Sequence, residues 1–299
     1  MICPKCSSMR IKKNGRKKST AADGSEKLAQ QFHCHSCNSN FSIPINTEID
    51  YTEKKVEPGE VLEVKSDYVM RIHGLTDIHV GAVDFRRGKF LEAVKEIYED
   101  PHARWFGNGD MLECIPPNYK IVQRGQVISP DEQHLAFMDL IRPIQDKCIF
   151  IRGGNHDYLR SINMLDYDVS RMIARDMDVP YFELPGYLRV NISGREWYMA
   201  SGHGSSGAKN GDLELDKMRD VYSMGDIFYL GHNHQLYAKP IDSLGIDEDG
   251  RETLKRCWYI RGGSFLGYAH YVRYRMMRVA RAGWVVMEFK KDDINCWVA

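Results

Sequence analysis

The pattern of apolar and polar positions changes character along the chain. Between residues 68 and 289, short apolar runs of strand length alternate with segments whose apolar residues recur at helical spacing. The clearest helical pattern runs from Phe90 to Tyr98, with charged side chains on the opposite side. A second helix is predicted over residues 132–144. This alternation predicts an α/β fold.

The predicted strands are short and end at glycines or polar residues. They cover residues 68–72, 104–106, 148–151, 187–192, 196–200, 227–230, 257–260 and 284–289. Strands in this number, with helices between them, predict two sheets packed together.

The region before the first of these strands has a different composition. Residues 42–67 include two prolines and carry seven acidic against three basic side chains, and we interpret them as a linker. The predicted organisation is therefore a small module over residues 1–41, a linker over 42–67 and a larger domain over 68–299.

Composition narrows the class of protein. With 299 residues, of which 43% are hydrophobic and 27% charged, the chain can bury a sizeable core. It has no apolar stretch near the roughly 18 residues of a membrane span. No apolar run precedes Cys3, so we predict no secretory signal and a cytoplasmic location. In a reducing compartment the eight cysteines are interpreted first as metal ligands rather than disulfides.

Four cysteines near the N-terminus form two C-x-x-C pairs separated by 27 residues. They are Cys3, Cys6, Cys34 and Cys37. Each pair sets two thiolates in a tight turn, and four sulfurs complete the tetrahedral shell of one structural zinc ion. The turn dipeptide Asn14-Gly15 among basic residues predicts a basic hairpin. The segment resembles the zinc ribbons of transposases and other mobile-element proteins.

The net charge of zero conceals two cationic segments. The chain has 41 basic and 41 acidic side chains, but residues 1–40 hold eight basic against two acidic. Clustered lysines and arginines attract phosphate, so this segment, with Lys12 and Lys13, is predicted to bind DNA or RNA. The alternatives are a solvated charged loop or a surface that docks a protein partner.

The second cationic segment, residues 255–281, holds seven basic side chains and no acidic one. Its basic residues, among them Arg273 and Arg275, are interleaved with Tyr268, Tyr271 and Tyr274, which suits a groove for single-stranded nucleic acid. Tyr271, Arg273 and Arg275, at every second position, could instead form the exposed face of an ordinary strand. The sequence leaves both interpretations open.

Metal-binding side chains follow five of the predicted strands. The motifs are Asp77-Ile78-His79, Gly107-Asn108-Gly109-Asp110, Gly154-Asn155-His156-Asp157, Gly202-His203-Gly204 and Gly231-His232-Asn233-His234. Loops after strands are where an α/β scaffold presents functional groups, and carboxylates with imidazoles are ligands for divalent metals.

In this order, and at gaps of 33, 45, 48 and 29 residues from Asp77 to His232, the motifs resemble those of the calcineurin-like metallophosphoesterase superfamily. The resemblance covers residues 68–289. It implies a four-layer α/β/β/α sandwich, with the zinc ribbon outside it, and a reaction that hydrolyses phosphoesters.

The resemblance also implies a role for each motif residue. Asp77, His79 and His234 would bind one divalent metal, Asn155, His203 and His232 the second, and Asp110 would bridge the two. Manganese, iron and zinc all suit these ligands. The metal pair would lower the pKa of a bound water, which attacks phosphorus.

Three further residues are candidates for catalysis. The resemblance implies that His156 donates a proton to the leaving oxygen or stabilises the phosphoryl charge. Glu113, three residues after Asp110, is a candidate to orient His156. Asp157 is either a catalytic side chain or a supporting one.

The leading hypothesis is a two-metal hydrolase of nucleic acid, a nuclease or phosphodiesterase whose ribbon docks the substrate. One alternative is a phosphatase of nucleotides or phosphomonoesters whose ribbon recruits a protein. Another is a DNA-binding zinc protein of a phage or mobile element whose phosphoesterase fold is not catalytic.

Overall fold

The structure is a computed structural model of the whole chain. It describes residues 3–6, 8, 10–20, 26–45, 56, 59–115, 125–207, 210–246, 249–267 and 281–299. Contacts divide the chain into two compact units, Met1–Thr52 and Glu53–Ala299. No helix among the described residues is long and apolar enough to cross a membrane.

The first unit is a three-stranded antiparallel sheet in the order β1-β2-β3. Its strands are β1 (Ile11–Thr20), β2 (Glu26–Cys34) and β3 (Asn40–Ile45). Phe32 on β2 lies opposite Phe41 on β3, and their rings stack with centroids 5.5 Å apart. This pair is a small apolar contact.

The second unit contains twelve strands and five α-helices among its described residues. The strands are β4 (Leu62–Ser66), β5 (Met70–Leu75), β6 (Ala103–Asn108), β7 (Cys148–Arg152), β8 (Tyr181–Phe182), β9 (Gly186–Ile192), β10 (Arg195–Gly202), β11 (Ile227–Leu230), β12 (Leu236–Ile246), β13 (Glu252–Gly262), β14 (Val285–Phe289) and β15 (Ile294–Val298). The helices are α1 (Arg87–Glu99), α2 (Pro130–Ile141), α3 (Ser161–Leu165), α4 (Val169–Asp176) and α5 (Asp212–Val221).

These strands form two six-stranded sheets. One has the order β15-β14-β5-β6-β7-β8 and the other β12-β13-β11-β10-β9-β4. Side chains that face inward from both, among them Ile72, Phe106, Tyr229 and Ile260, share one buried cluster between the sheets. The two sheets predicted from the strand pattern are therefore packed face to face.

Helices cover the outer face of each sheet. Phe90 on α1 and Phe137 on α2 pack with Trp105 of the first sheet, while Leu215 on α5 packs with Phe228 of the second. The layers follow the order helix, sheet, sheet, helix. The four-layer α/β/β/α arrangement implied by the family resemblance is confirmed.

Local signals explain where α2 begins. Ser129 precedes the helix, and its backbone N–H and hydroxyl both donate to the Glu132 carboxylate, at 2.9 and 2.6 Å. Pro130 occupies the first helical position, where its missing N–H costs no hydrogen bond. The helix predicted over residues 132–144 therefore starts two residues earlier and ends at Ile141.

Parts of the segment predicted as a linker, residues 42–67, are strands instead. Asn40–Ile45 completes the sheet of the first unit, and Leu62–Ser66 pairs in parallel with Gly186–Ile192 in the second. Leu62 and Val64 pack against the core between the sheets. The linker prediction was based on the many acidic residues of this segment, and it missed the alternation of Leu62 and Val64 with charged residues.

Candidate metal centre

The metal-binding motifs lie at the ends of five strands. Asp77 and His79 follow β5, Asp110 follows β6, Asn155 follows β7, His203 follows β10, and His232 and His234 follow β11. Strands β5, β6 and β7 are parallel to one another, as are β10 and β11. Carboxyl ends of parallel strands meet at one edge of a sheet, so the loops converge. The structure brings all seven predicted ligand side chains together.

Asp77, His79 and His234 form the first group of potential ligands. His234 Nε2 lies 3.2 Å and His79 Nε2 3.9 Å from Asp77 Oδ1. Asp77 Oδ1 and His79 Nε2 are buried, and neither makes a hydrogen bond with any described residue. Buried polar atoms without partners are costly, and a cation between them would satisfy both. These residues therefore fit a metal.

Asp110, His203 and His232 form the second group, together with the side chain of Asn155. Asn155 Oδ1 lies 3.2 Å from His203 Nε2 and 2.7 Å from His232 Nδ1. Two imidazole nitrogens and an amide oxygen thus face one point, beside a carboxylate. This donor set suits a borderline divalent cation.

Asp110 connects the two groups. Its Oδ2 lies 3.4 Å from His203 Nε2 in the second group and 3.9 Å from His79 Nε2 in the first. Its other oxygen, Oδ1, accepts a hydrogen bond from the backbone N–H of His156 at 2.7 Å. One oxygen is thus anchored to the backbone, while the other faces both groups of ligands.

The charges of these side chains are strongly coupled. Burial alone raises the pKa of Asp110, but the imidazoles of His156 and His203 outweigh it and hold this pKa well below its usual value. Burial lowers the pKa of His203, but the carboxylate of Asp110 outweighs it and raises this pKa to about 10. Without a metal, the positive charge of protonated histidines offsets the negative charge of the carboxylates. A bound cation would displace the histidine protons, because a nitrogen that binds a metal needs its lone pair.

The backbone is strained at the site. Five of the predicted ligands adopt left-handed φ angles between 51° and 67°, namely Asp77, His79, Asp110, His232 and His234. Such angles are uncommon outside glycine and persist where the surrounding structure determines them. Gly231 and Gly154 permit the close approach, because a Cβ on Gly231 would meet Asp77 Oδ2 and one on Gly154 would meet Asp110 Oδ1.

Neighbouring groups hold Asp77 in its unusual conformation. Thr76 Oγ1 and the backbone N–H of His232 donate to Asp77 Oδ2, at 2.7 and 2.9 Å. Ser264 Oγ donates to the Asp77 carbonyl at 3.1 Å. The backbone carbonyl oxygen and one carboxylate oxygen are thereby fixed, which leaves Asp77 Oδ1 directed at the ligand group.

Asp157 supports the loops beneath the site. It is fully buried, and its carboxylate accepts hydrogen bonds from the backbone N–H groups of Asp110, Met111 and Gly154, at 3.2, 2.6 and 2.8 Å. Both oxygens of its carboxylate are thus bound to the backbone of the loops that carry Asp110 and Asn155. Of the two interpretations of Asp157, these contacts favour the supporting one.

Glu113, predicted to orient His156, contacts two histidines. Its carboxylate lies against His79, a predicted ligand, and its backbone carbonyl lies against His156. Its Oε2 lies 2.8 Å from His79 Nδ1 but 3.6 Å from His156 Nδ1, which instead lies 3.0 Å from the Glu113 carbonyl. The carboxylate therefore fixes His79 with Nε2 directed at the metal group. Burial opposes ionisation of Glu113, but contacts with both histidines lower its pKa far below the usual value.

Two arginines at the site were not predicted. Arg160 Nη2 lies 3.1 Å from His156 Nε2, and the i, i+4 spacing of these residues is the sequence signal that could have identified it. Arg152 is buried; its Nε donates to Asn108 Oδ1 at 3.2 Å, and the Asn108 carbonyl lies 2.8 Å from His203 Nδ1. The position of Arg152 directly before Gly153 gave no sign of this role.

The four N-terminal cysteines cluster as the zinc prediction requires. Cys3 Sγ lies 3.7 Å from Cys37 Sγ, and Cys6 Sγ lies 3.6 Å from Cys34 Sγ, with all four sulfurs within 4.8 Å of one another. The turns at Cys3 and Cys34 close through backbone hydrogen bonds to Ser8 and Ser39. Four sulfurs at these separations fit one tetrahedral ion.

The predicted substrate contacts have mixed positions. Lys12 and Lys13 are exposed on β1. Arg273 and Arg275 lie outside the described residues. Arg261, part of the same cationic segment, is buried and donates to the Gly211 carbonyl at 2.7 Å and to Glu214 at 3.0 Å. The charge of Arg261 is therefore paired with Glu214 inside the second unit and does not line a nucleic-acid groove.

Comparisons with known proteins give distant structural similarities alone. No family model and no curated protein matches the chain. Vacuolar protein sorting 29 from Cryptosporidium parvum superposes with a TM-score of 0.41 at 13% identity, covering 78% of this chain and 98% of its own. The calcineurin-like phosphoesterase YfkN from Bacillus subtilis gives 0.41 at 9% identity, covering 78% and 91%. At these TM-scores the superpositions carry no argument about function.

Proposed function

We propose that the protein is a metal-dependent phosphoester hydrolase of the calcineurin-like metallophosphoesterase superfamily. The observation that carries the proposal is the convergence of seven ligand side chains in two groups, with Asp110 Oδ2 facing both. The buried atom His79 Nε2, which makes no hydrogen bond with any described residue, supports it, because such an atom is expected of a ligand and not of an ordinary core residue.

Two divalent cations, of which manganese, iron and zinc are the candidates, would occupy the two groups. When bound they would polarise the phosphoryl group and supply an activated water. The protein's part is to hold Asp77, Asp110 and the histidines in fixed orientation, which Glu113, Asp157 and the neighbouring backbone accomplish. His156 lies beside this centre, with Nε2 3.9 Å from Asp110 Oδ2, close enough to contact a phosphoester there.

Nucleic acid is the proposed substrate, with the N-terminal ribbon as its docking site. Lys12, Lys13 and Lys17 are exposed on β1, and the neighbouring strand β2 ends at Cys34, one of the four clustered cysteines. A strand with this density of exposed cations attracts a phosphate backbone without regard to sequence. The ribbon would thereby raise the local concentration of substrate.

The test is a panel of substrates with added Mn²⁺. Wild type, Asp110→Asn and a chain that lacks residues 1–52 are assayed on single- and double-stranded DNA, RNA, nucleotides and a nitrophenyl phosphodiester. We expect wild type to cleave nucleic acid and the small ester, and Asp110→Asn to lose at least about 100-fold on both.

The outcomes separate the alternatives. Cleavage of small esters or nucleotides without any cleavage of nucleic acid would reject the substrate class and favour a phosphatase. Hydrolysis that survives Asp110→Asn, or is absent from wild type, would reject the catalytic assignment. Loss of nucleic-acid cleavage without residues 1–52, with the small ester still cleaved, would support docking by the ribbon.

A further inference from the structure

Arg261 lies near the end of β13 and contacts the loop that carries His232. Its Nη1 donates to the Gly231 carbonyl at 3.2 Å, and its Nη2 donates to the Glu214 carboxylate at 3.0 Å. The side chain is 1% exposed. The guanidinium therefore joins α5, which contains Glu214, to the loop after β11.

The contact with Gly231 fixes the peptide unit that leads into His232. The Gly231 carbonyl accepts from Arg261 at one end of this unit. At the other end the N–H of His232 donates to Asp77 Oδ2 at 2.9 Å. His232 itself has a left-handed φ of 67°, a conformation that persists where the surrounding structure determines it. Arg261 is thus one of the groups that hold this predicted ligand in place.

Glu214 makes a corresponding contact with the loop after β10. Its Oε1 accepts from the backbone N–H and the hydroxyl of Ser205, two residues after His203, at 2.8 and 3.3 Å. Gly204, between these two residues, has a φ of +94°, and a Cβ there would lie 3.2 Å from Glu214 Oε2. The carboxylate is therefore packed against the turn that presents His203.

A buried ion pair is a weak means of stabilising a fold. Taking two charges out of water costs about as much as their attraction returns, and apolar replacements are often equally stable. Charged hydrogen bonds do impose direction, because a guanidinium and a carboxylate bind their partners in fixed geometries. Here the directed contacts reach two loops, and each loop carries a predicted ligand of the second group.

We propose that the ion pair between Arg261 and Glu214 positions the two histidines of the second group, and that its main contribution is to the affinity of that group for a cation. Both are positioning residues, since neither is one of the seven predicted ligands. Asp77 and His79 of the first group follow β5 in the other sheet, so the first group should depend on the pair less. The inference rests on the proposed function, which requires both cations.

Metal binding and stability, measured on the same variants, test this role. Each full-length protein is freed of metal, given an equimolar amount of Zn²⁺ for its four cysteines, and titrated with Mn²⁺, which thiolates bind poorly. Calorimetry gives the affinity for each Mn²⁺, and electron paramagnetic resonance distinguishes a single ion from a coupled pair. The urea midpoint without Mn²⁺ reports stability.

The main variant replaces the ion pair by apolar side chains, Arg261→Met with Glu214→Leu. Glu214→Gln is the conservative variant, because it keeps an oxygen that can accept from Ser205 and Arg261. Arg71→Met with Glu288→Leu is the matched control. That pair joins β5 to β14 at 2.8 Å, and neither residue belongs to a group of potential ligands.

In the apolar double variant we expect the second Mn²⁺ to bind about 10- to 100-fold more weakly, because groups that orient ligands contribute this much to metal affinity. The first Mn²⁺ should change by less than about 3-fold. The coupled-pair signal should be lost at Mn²⁺ concentrations that saturate wild type, while the urea midpoint stays close to that of wild type. Glu214→Gln should retain most of the affinity, and the control should match wild type for both ions.

Two results would overturn the inference alone. One is unchanged affinity for the second Mn²⁺ in the apolar double variant. The other is equal weakening of both ions together with a lowered urea midpoint, which would show that the pair only stabilises the fold.

A further variant applies if the double variant does not fold. Glu214→Ala then tests the same contact, because Glu214 is 19% exposed and water can solvate Arg261 in its place. Weaker binding of the second Mn²⁺ alone would support the inference, and unchanged binding would overturn it. A wild-type protein that binds no pair of Mn²⁺ ions, or cleaves no phosphoester, would instead overturn the proposed function itself.

Discussion

The carboxylate of Glu113 lies 2.8 Å from Nδ1 of His79, and this contact determines which nitrogen of His79 faces the metal centre. Because Nδ1 donates to the carboxylate, Nε2 keeps its lone pair. That nitrogen is buried, lies 3.9 Å from both Asp77 and Asp110, and has no hydrogen-bond partner among the described residues. The orientation of His79, a predicted ligand, is therefore fixed by Glu113, which is not one of the seven predicted ligands.

Removal of that carboxylate should weaken metal binding. We expect Glu113→Ala to lower Mn²⁺ affinity by about 10- to 100-fold, because His79 loses the partner that fixes its tautomer and ring orientation. Titration calorimetry on the metal-free protein measures this. Glu92→Ala, on the exposed side of α1, is the control and should change nothing. Equal affinity for Glu113→Ala and wild type would show that packing alone orients His79.

Asp157→Asn should destabilise the fold. The carboxylate accepts from three buried N–H groups, and an amide would set its own donor against one of them. An unsatisfied buried donor costs about 1–3 kcal/mol, so the free energy of unfolding in urea should fall by that amount. Asp146→Asn, at an exposed position, should stay within about 0.5 kcal/mol of wild type. A similarly small change for Asp157→Asn would contradict the supporting role.

His73 should make stability sensitive to acid. It is buried beneath Trp284, whose Nε1 donates to His73 Nδ1 at 3.1 Å, and burial lowers its pKa from 6.5 to about 4. Between these values the unfolded chain binds a proton that the folded chain does not. The stability contributed by this group is thus fully present above pH 6.5 and is lost as the pH falls toward 4, by about 1.4 kcal/mol per unit.

The check is the pH dependence of unfolding in wild type and His73→Gln. Other groups titrate in both proteins, so the difference between the two curves isolates His73. We expect the variant to lose less stability than wild type between pH 6.5 and 4. Parallel curves over this window would show that His73 titrates normally in the folded protein.

Cys6→Ser should remove metal from the first unit without affecting the second. Three sulfurs and a hydroxyl bind zinc less well than four sulfurs, so zinc content should fall by about one ion per chain. Hydrolysis of a small ester should continue, while nucleic-acid binding is lost. Cys257→Ser, in the second unit and outside the four-cysteine cluster, is the control. Unchanged zinc content in Cys6→Ser would disprove the four-cysteine site.

Charge reversal on β1 should act on binding and not on chemistry. For the double variant Lys12→Glu and Lys13→Glu we expect weaker nucleic-acid affinity and a salt dependence whose slope falls by about 1 for each phosphate that the protein no longer neutralises. Turnover of a small ester should match wild type. Lys95→Glu, exposed on α1, is the control. An unchanged salt slope would favour the solvated loop or the protein-docking surface.

The sequence predicted the elements whose signals are local. Helix α1 and strands β7, β9 and β11 lie close to their predicted limits, because each is a compact apolar run or a clear helical pattern. The positions of the candidate ligands could be predicted for the same reason, since each motif follows a predicted strand. The two-sheet core followed from the number of strands.

Relationships that span the chain were not predictable. Strands β12 and β15 were not predicted: β12 is half exposed and mixes polar with apolar residues, while the apolar run of β15 is interrupted by Asn295. The burial of Arg261 depends on α5, whose Glu214 is its partner 47 residues away. The number of charged residues in a segment does not show which of them are buried beside a distant partner. Arg261 was therefore counted among the exposed cations.

The seven ligands come from both sheets: Asp77, His79, Asp110 and Asn155 from one, His203, His232 and His234 from the other. Half of the sandwich folded alone would hold at most four of them, and neither half would hold the complete first group. Metal binding by the seven predicted ligands would therefore require the complete tertiary fold of the second unit. If these seven side chains bind the metals as proposed, a newly made molecule would acquire its full metal affinity only after the two sheets have packed together.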